Sequence, residues 1–76
     1  MRELVEYIAK QLVDKPDEVK VTEEAERGRV VVRLEVAEDD YGKVIGKGGR
    51  IAQSMRALLK VAAVRSEAYA SLEIGD

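Results

Sequence analysis

The run Val30, Val32, Leu34, Val36, interleaved with Val31, Arg33, Glu35 and Ala37, constrains the fold more than any other stretch of the chain. A period of two places the first set on one face of a β-strand and the second on the other. Such a strand needs partners for its backbone N–H and C=O groups and a cover for its apolar face. Just upstream, Glu26-Arg27-Gly28-Arg29 offers a glycine for a tight turn. Residues 18–25, which alternate weakly through Val19 and Val21, are therefore expected to pair with the run as an antiparallel hairpin.

The cover comes from helices. Leu4, Val5, Ile8 and Leu12 fall at helical spacing with polar residues around them, which predicts an amphipathic helix over 2–13. Pro16 disfavours helical backbone in the residue before it, so this helix should end near Asp14 or Lys15. Glu38-Asp39-Asp40 can cap a short helix from about Tyr41 to Ile45. A longer helix is expected over 50–64, with Ile51, Met55, Leu58, Leu59 and Ala62 on its apolar face. Ala68, Ala70, Leu72 and Ile74 then alternate with Tyr69, Ser71 and Glu73 as a last strand. A strand that returns through two helices forms a crossover, so the second and third strands should run parallel. The expected fold is α+β, a two-layer sandwich of order α-β-β-α-α-β with a three-stranded mixed sheet.

With 76 residues, one proline and no Phe or Trp, the chain makes one small domain, residues 1–76, with a core of Val, Leu, Ile, Ala and Met. It contains no cysteine and no histidine, so disulfides and thiolate metal sites are excluded and Ser54, Ser66 and Ser71 lack the usual activating base. No catalytic residue, metal site or cofactor is expected. Charges interrupt the first twenty residues, unlike a signal peptide or membrane span, and a soluble cytoplasmic protein fits best.

The net charge of −2 conceals a segregation. Residues 1–40 hold seven bases and twelve acids, residues 67–76 hold three acids and no base, and residues 41–66 hold six bases and no acid. Such asymmetry creates a local positive field suited to a polyanion, although a solvated basic helix face has the same signature.

Within the basic segment lies Lys43-Val44-Ile45-Gly46-Lys47-Gly48-Gly49-Arg50-Ile51. Gly46 and Gly49 remove side chains where the backbone must turn and where a sugar-phosphate strand would approach. The loop exposes amide N–H groups ahead of a helix, and Lys47 adds a mobile charge at its tip. A P-loop is excluded because Lys47 is followed by Gly48 rather than Ser or Thr; a dinucleotide fingerprint fails because Ile51 stands where its last glycine belongs.

The segment resembles the G-x-x-G loop of KH domains, an aliphatic pair, Gly-x-x-Gly, then a basic residue and Ile, read here as Val44-Ile45, Gly46-Lys47-Gly48-Gly49 and Arg50-Ile51. The extra N-terminal helix and strand make the order similar to the type II KH domain. The likeness spans the chain and is strongest to small bacterial single-KH proteins of the KhpA type, whose opening helix, LVD-x-PD turn and first strand are similar to Leu4 through Val21. Tyr41 ahead of Gly42, and Gly48 within the loop, depart from the pattern expected of such relatives.

The resemblance implies that single-stranded RNA, about four nucleotides of it, is clamped at the loop. It further implies RNA-chaperone activity in post-transcriptional regulation, a homodimer or a heterodimer with a larger KH-containing RNA-binding protein, and links to cell shape and cell-wall regulation. Lys43, Lys47 and Arg50 are the candidate phosphate contacts. Val44, Ile45 and Ile51 are candidates for a groove floor, with core packing the expected role of at least one. Arg56 and Lys60 continue the basic side and suit a solvated face as well as RNA contact. Tyr41 and Tyr69 are candidates for base stacking or for ordinary half-buried packing. The competing reading is a protein-interaction module whose partner supplies most RNA contacts.

Overall fold

A computed structural model describes residues 1–75; Asp76, one of the three acids of the C-terminal segment, lies outside them. The alternating run is a strand from Arg29 to Glu35 (β2), with Val30, Val32 and Leu34 facing inward and Val32 and Leu34 fully buried. Lys20–Glu26 (β1) pairs with it antiparallel, Val21 opposite Leu34 and Glu26 opposite Arg29. Arg27 and Gly28 between them both take positive φ, 50° and 78°. That is the pattern of a type I′ turn, whose twist matches the twist of paired strands.

The first helix, Arg2–Leu12 (α1), buries Val5 and Ala9 and ends earlier than Pro16 alone demands, because Val13 is already extended. Pro16 instead opens a 3-10 turn, Pro16–Glu18, at a position where its missing N–H costs nothing. This turn occupies the residues expected to begin the first strand and delays β1 to Lys20.

After β2 come a 3-10 turn (Glu38–Asp40), a short helix Tyr41–Ile45 (α2), a second 3-10 turn (Lys47–Gly49), the long helix Arg50–Arg65 (α3) and the strand Tyr69–Ile74 (β3). β3 runs parallel to β2, Val30 beside Ala70 and Leu34 beside Ile74, so the sheet order is β1-β2-β3. The predicted order α-β-β-α-α-β and the mixed three-stranded sheet are both present. Helix α1 packs on β1 and β2, α3 packs on β3, and α2 touches both helices, which leaves the other face of the sheet open.

The core joins Val5 and Ala9 of α1, Val21, Val30, Val32, Leu34 and Leu72 of the sheet, Val36 and Val44, and Met55 and Leu59 of α3. Each large side chain among them contributes about 1.5–3 kcal/mol by leaving water. Helix α3 is turned slightly from its expected orientation. Its buried stripe is Ala52, Met55, Leu59 and Ala63, whereas Leu58 is 47% exposed and Ile51 half-buried. Ala52 and Ala63 are buried in line with Met55 and Leu59, and Ile51 and Leu58 lie at the margins of that stripe.

Candidate nucleic-acid interface

The loop is built from two helix ends that cannot join directly. Helix α2 stops at Gly46, whose N–H donates to the Gly42 carbonyl (2.9 Å) and whose φ of 78° and ψ of 169° suit glycine alone. A Cβ here would also lie 2.6 Å from Cγ1 of Ile51, so this glycine is required both by conformation and by the side chain resting on it. Gly48 (φ 65°, ψ 17°) and Gly49 (φ 78°, ψ 12°) are left-handed, but a Cβ at either would meet open space.

Two of the loop's amides are consumed in holding this shape, Gly49 N–H on the Gly46 carbonyl (3.0 Å) and Arg50 N–H on the Lys47 carbonyl. Among the described residues, the N–H groups of Lys47 and Gly48 have no backbone acceptor. Consecutive free donors in a loop of left-handed residues form a concavity that favours an anion. Lys47 and Arg50 are exposed, and among the described residues neither forms an ion pair.

The other candidate residues separate by burial and partner. Val44 is completely buried and belongs to the core, as expected for at least one aliphatic residue of the segment. Ile45 is 39% exposed and Ile51 is half-buried against Gly46, so these two present apolar surface beside the loop. Lys43 is placed differently from Lys47 and Arg50. Its Nζ donates to Asp14 (2.7 Å) and lies 3.5 Å from Asp40. These bonds to Asp14, with the charges of Asp14 and Asp40, hold the Lys43 ammonium above its ordinary pKa against the pull of partial burial. Lys43 thus ties α2 to the segment after α1, a tie hidden in the sequence because Asp14 lies 29 residues upstream.

Asp40 also departs from expectation. It forms no side-chain cap on α2. It is buried instead, accepting the N–H groups of Asp14 (3.3 Å) and Lys15 (3.1 Å). Burial pushes its carboxyl up, but those two donors and the charge of Lys43 outweigh it and hold the group below its ordinary value. The carboxylate anchors the start of α2, and through α2 the position of the glycine loop.

Arg56 reaches from α3 to the Leu72 carbonyl (3.4 Å), so that side of α3 lies along the outer edge of β3. The model of the family described as KhpA/KhpB, KH domain, matches residues 2–74. This chain belongs to that family. The RNA-binding protein KhpA of Clostridium acetobutylicum is 49% identical over 74 residues, 97% of this chain and 99% of that protein. The RNA-binding protein KhpA of Treponema pallidum is 50% identical over 74 residues, 97% and 92% of the two chains. That of Halalkalibacterium halodurans is 43% identical over 76 residues, the whole of both. The glycine loop between α2 and α3 is therefore the G-x-x-G loop of a KH domain.

Proposed function

We propose that this protein binds single-stranded RNA at the Gly46–Gly49 loop without catalysing a reaction. The observation that carries the reading is the pairing of two adjacent free amides, on Lys47 and Gly48, with the unpaired cations of Lys47 and Arg50. A phosphate seated on the amides is within reach of both side chains, and the neighbouring Ile45 and Ile51 offer apolar surface to bases. Phosphate contacts of this kind set register and affinity, while groove contacts set any base preference. The relatives, each named an RNA-binding protein, support the same class of ligand.

One clamp of about four nucleotides gives limited affinity, and a second clamp raises it through effective concentration. Self-association, or pairing with a larger KH-containing protein, supplies that second clamp. Leu58 and Val61, 47% and 57% exposed one turn apart on α3, are apolar surface suited to such a contact. Action as a cytoplasmic RNA chaperone follows from weak, sequence-tolerant clamping; the connection to cell shape and cell wall rests on family likeness. The deciding experiment is titration of the isolated protein with single-stranded RNA at two salt concentrations. Salt-sensitive binding by the protein alone supports this reading, and binding that arises only after a partner protein is added supports the interaction-module reading instead.

A further inference from the structure

Helix α2 has five residues, too few to hold a place by itself, so its orientation is set by what its side chains touch. Tyr41 packs against the core and Val44 is buried in it, which fixes one stripe of the helix. Gly42 brings no side chain, and Ile45 is 39% exposed. Rotation about that stripe is held by Lys43, about 100° around the helix axis from Val44. Its ammonium spans Asp14 (2.7 Å), in the segment after α1, and Asp40 (3.5 Å), just ahead of α2.

Gly46 follows three residues later, closing α2 on the Gly42 carbonyl (2.9 Å) and accepting the Gly49 N–H (3.0 Å). A rotation of α2 therefore carries the backbone from Gly46 to Gly49, and with it the free amides of Lys47 and Gly48. Lys43 itself is badly placed to serve as a phosphate ligand. To reach a phosphate it must leave Asp14, and the Asp14, Asp40 and Lys43 side chains together carry one net negative charge. The bridge is also open to water, with Lys43 44% and Asp14 75% exposed, so it adds little to global stability. What such a bridge can do is bias the orientation of a short element.

We propose that Lys43 and Asp14 are positioning residues for RNA binding: the bridge orients α2 and the glycine loop, and neither side chain touches the RNA. The proposal rests on the RNA-binding reading above, and its test separates the two. Wild-type protein, Lys43→Gln, Lys43→Arg, Asp14→Ala and the double variant of Lys43→Gln with Asp14→Ala are titrated with fluorescein-labelled single-stranded RNA over a range of salt concentrations. The temperature is one at which circular dichroism shows every variant folded. Lys47→Gln is the control for a lost phosphate contact.

The two possible roles of Lys43 predict opposite results at Asp14. A positioning bridge predicts that Asp14→Ala weakens RNA binding about threefold to fivefold, the upper part of what an exposed ion pair carries, although it removes a negative charge. A phosphate ligand freed from Asp14 would instead bind RNA more tightly. Lys43→Gln should weaken binding by the same factor with an unchanged salt slope, whereas Lys47→Gln lowers the slope by about 0.7. The double variant should bind no more weakly than either single one, and Lys43→Arg, whose guanidinium can still span two carboxylates, should restore binding. In ¹H–¹⁵N spectra of the RNA-free protein, the Lys47 and Gly48 amides should shift alike in Lys43→Gln and Asp14→Ala, a change that lost stability alone does not produce. Tighter binding by Asp14→Ala, a lowered slope in Lys43→Gln, or unchanged affinity in both overturns the positioning role and leaves loop binding intact. Wild-type protein that binds no single-stranded RNA overturns the RNA reading and the positioning role with it.

Discussion

Replacing Lys47 and Gly48 together by aspartate tests the loop without dismantling the fold. Gly48 is left-handed, and nothing lies within 4 Å of the Cβ that aspartate would add. Aspartate tolerates this conformation better than most residues, so the expected cost is about 1 kcal/mol. For a domain of this size that lowers Tm by about 4–8 °C. The effect on binding is larger. The double substitution changes the charge at the phosphate by three units, and at about 5 Å in bulk water each unit is worth ~0.8 kcal/mol. The combined ~2.5 kcal/mol corresponds to about a 60-fold loss of affinity, more if the site excludes water. One lost lysine contact also lowers the salt slope by about 0.7. Gly46→Asp is the control. Its φ and ψ admit only glycine and its Cβ would strike Ile51, so it should cost about 3 kcal/mol or more and disturb fold and binding together. The assays are thermal melting by circular dichroism and fluorescence anisotropy with single-stranded RNA. A folded Lys47→Asp, Gly48→Asp protein that binds RNA within about threefold of wild type, against the expected 60-fold loss, would refute the assignment of the loop.

Single-stranded RNA should bind more tightly than a perfect duplex of the same length, because a narrow clamp takes splayed bases rather than closed A-form edges; competition between the two measures this. The protein should self-associate at high micromolar concentration, and Val61→Asp should shift sedimentation to monomer with Tm nearly unchanged, since Val61 is 57% exposed; a wild type that sediments only as monomer refutes this. Asp40 has a depressed carboxyl, so its contribution to stability is present above its ordinary value of 3.8 and is lost as pH falls through the lower folded value. Asp40→Asn should therefore melt several degrees lower at neutral pH, and the gap should narrow in acid; a constant gap across the acid range contradicts the charged role. Leu59→Ala, which empties a fully buried position, should cost about 2–5 kcal/mol by chemical denaturation and bring the small domain close to unfolding.

Much of this protein was legible in its sequence, because the relevant signals are local. Period two over residues 30–36 and helical spacing in α1 and α3 required only neighbouring residues, and the position of Gly28 was enough to foresee the hairpin turn. The loop was legible for the same reason: three glycines in four residues permit a break between helices without steric cost, and positions 46, 48 and 49 do take positive φ. Tertiary structure decided what depends on distant chain segments. It set the buried stripe of α3 at Ala52, Met55, Leu59 and Ala63 and left Leu58 half exposed, because helical spacing alone does not fix which neighbour of a stripe faces the core. It tied Lys43 to Asp14, and Asp40 to the amides of Asp14 and Lys15, across 25 to 29 residues of chain. It also set the far end of α3 beside Ala68 and Ala70, making a cavity that neither segment encodes alone. Sequence periodicity specifies which face of an element is apolar, whereas the partner of a charged or half-exposed side chain is settled only when packing brings remote segments within hydrogen-bond distance.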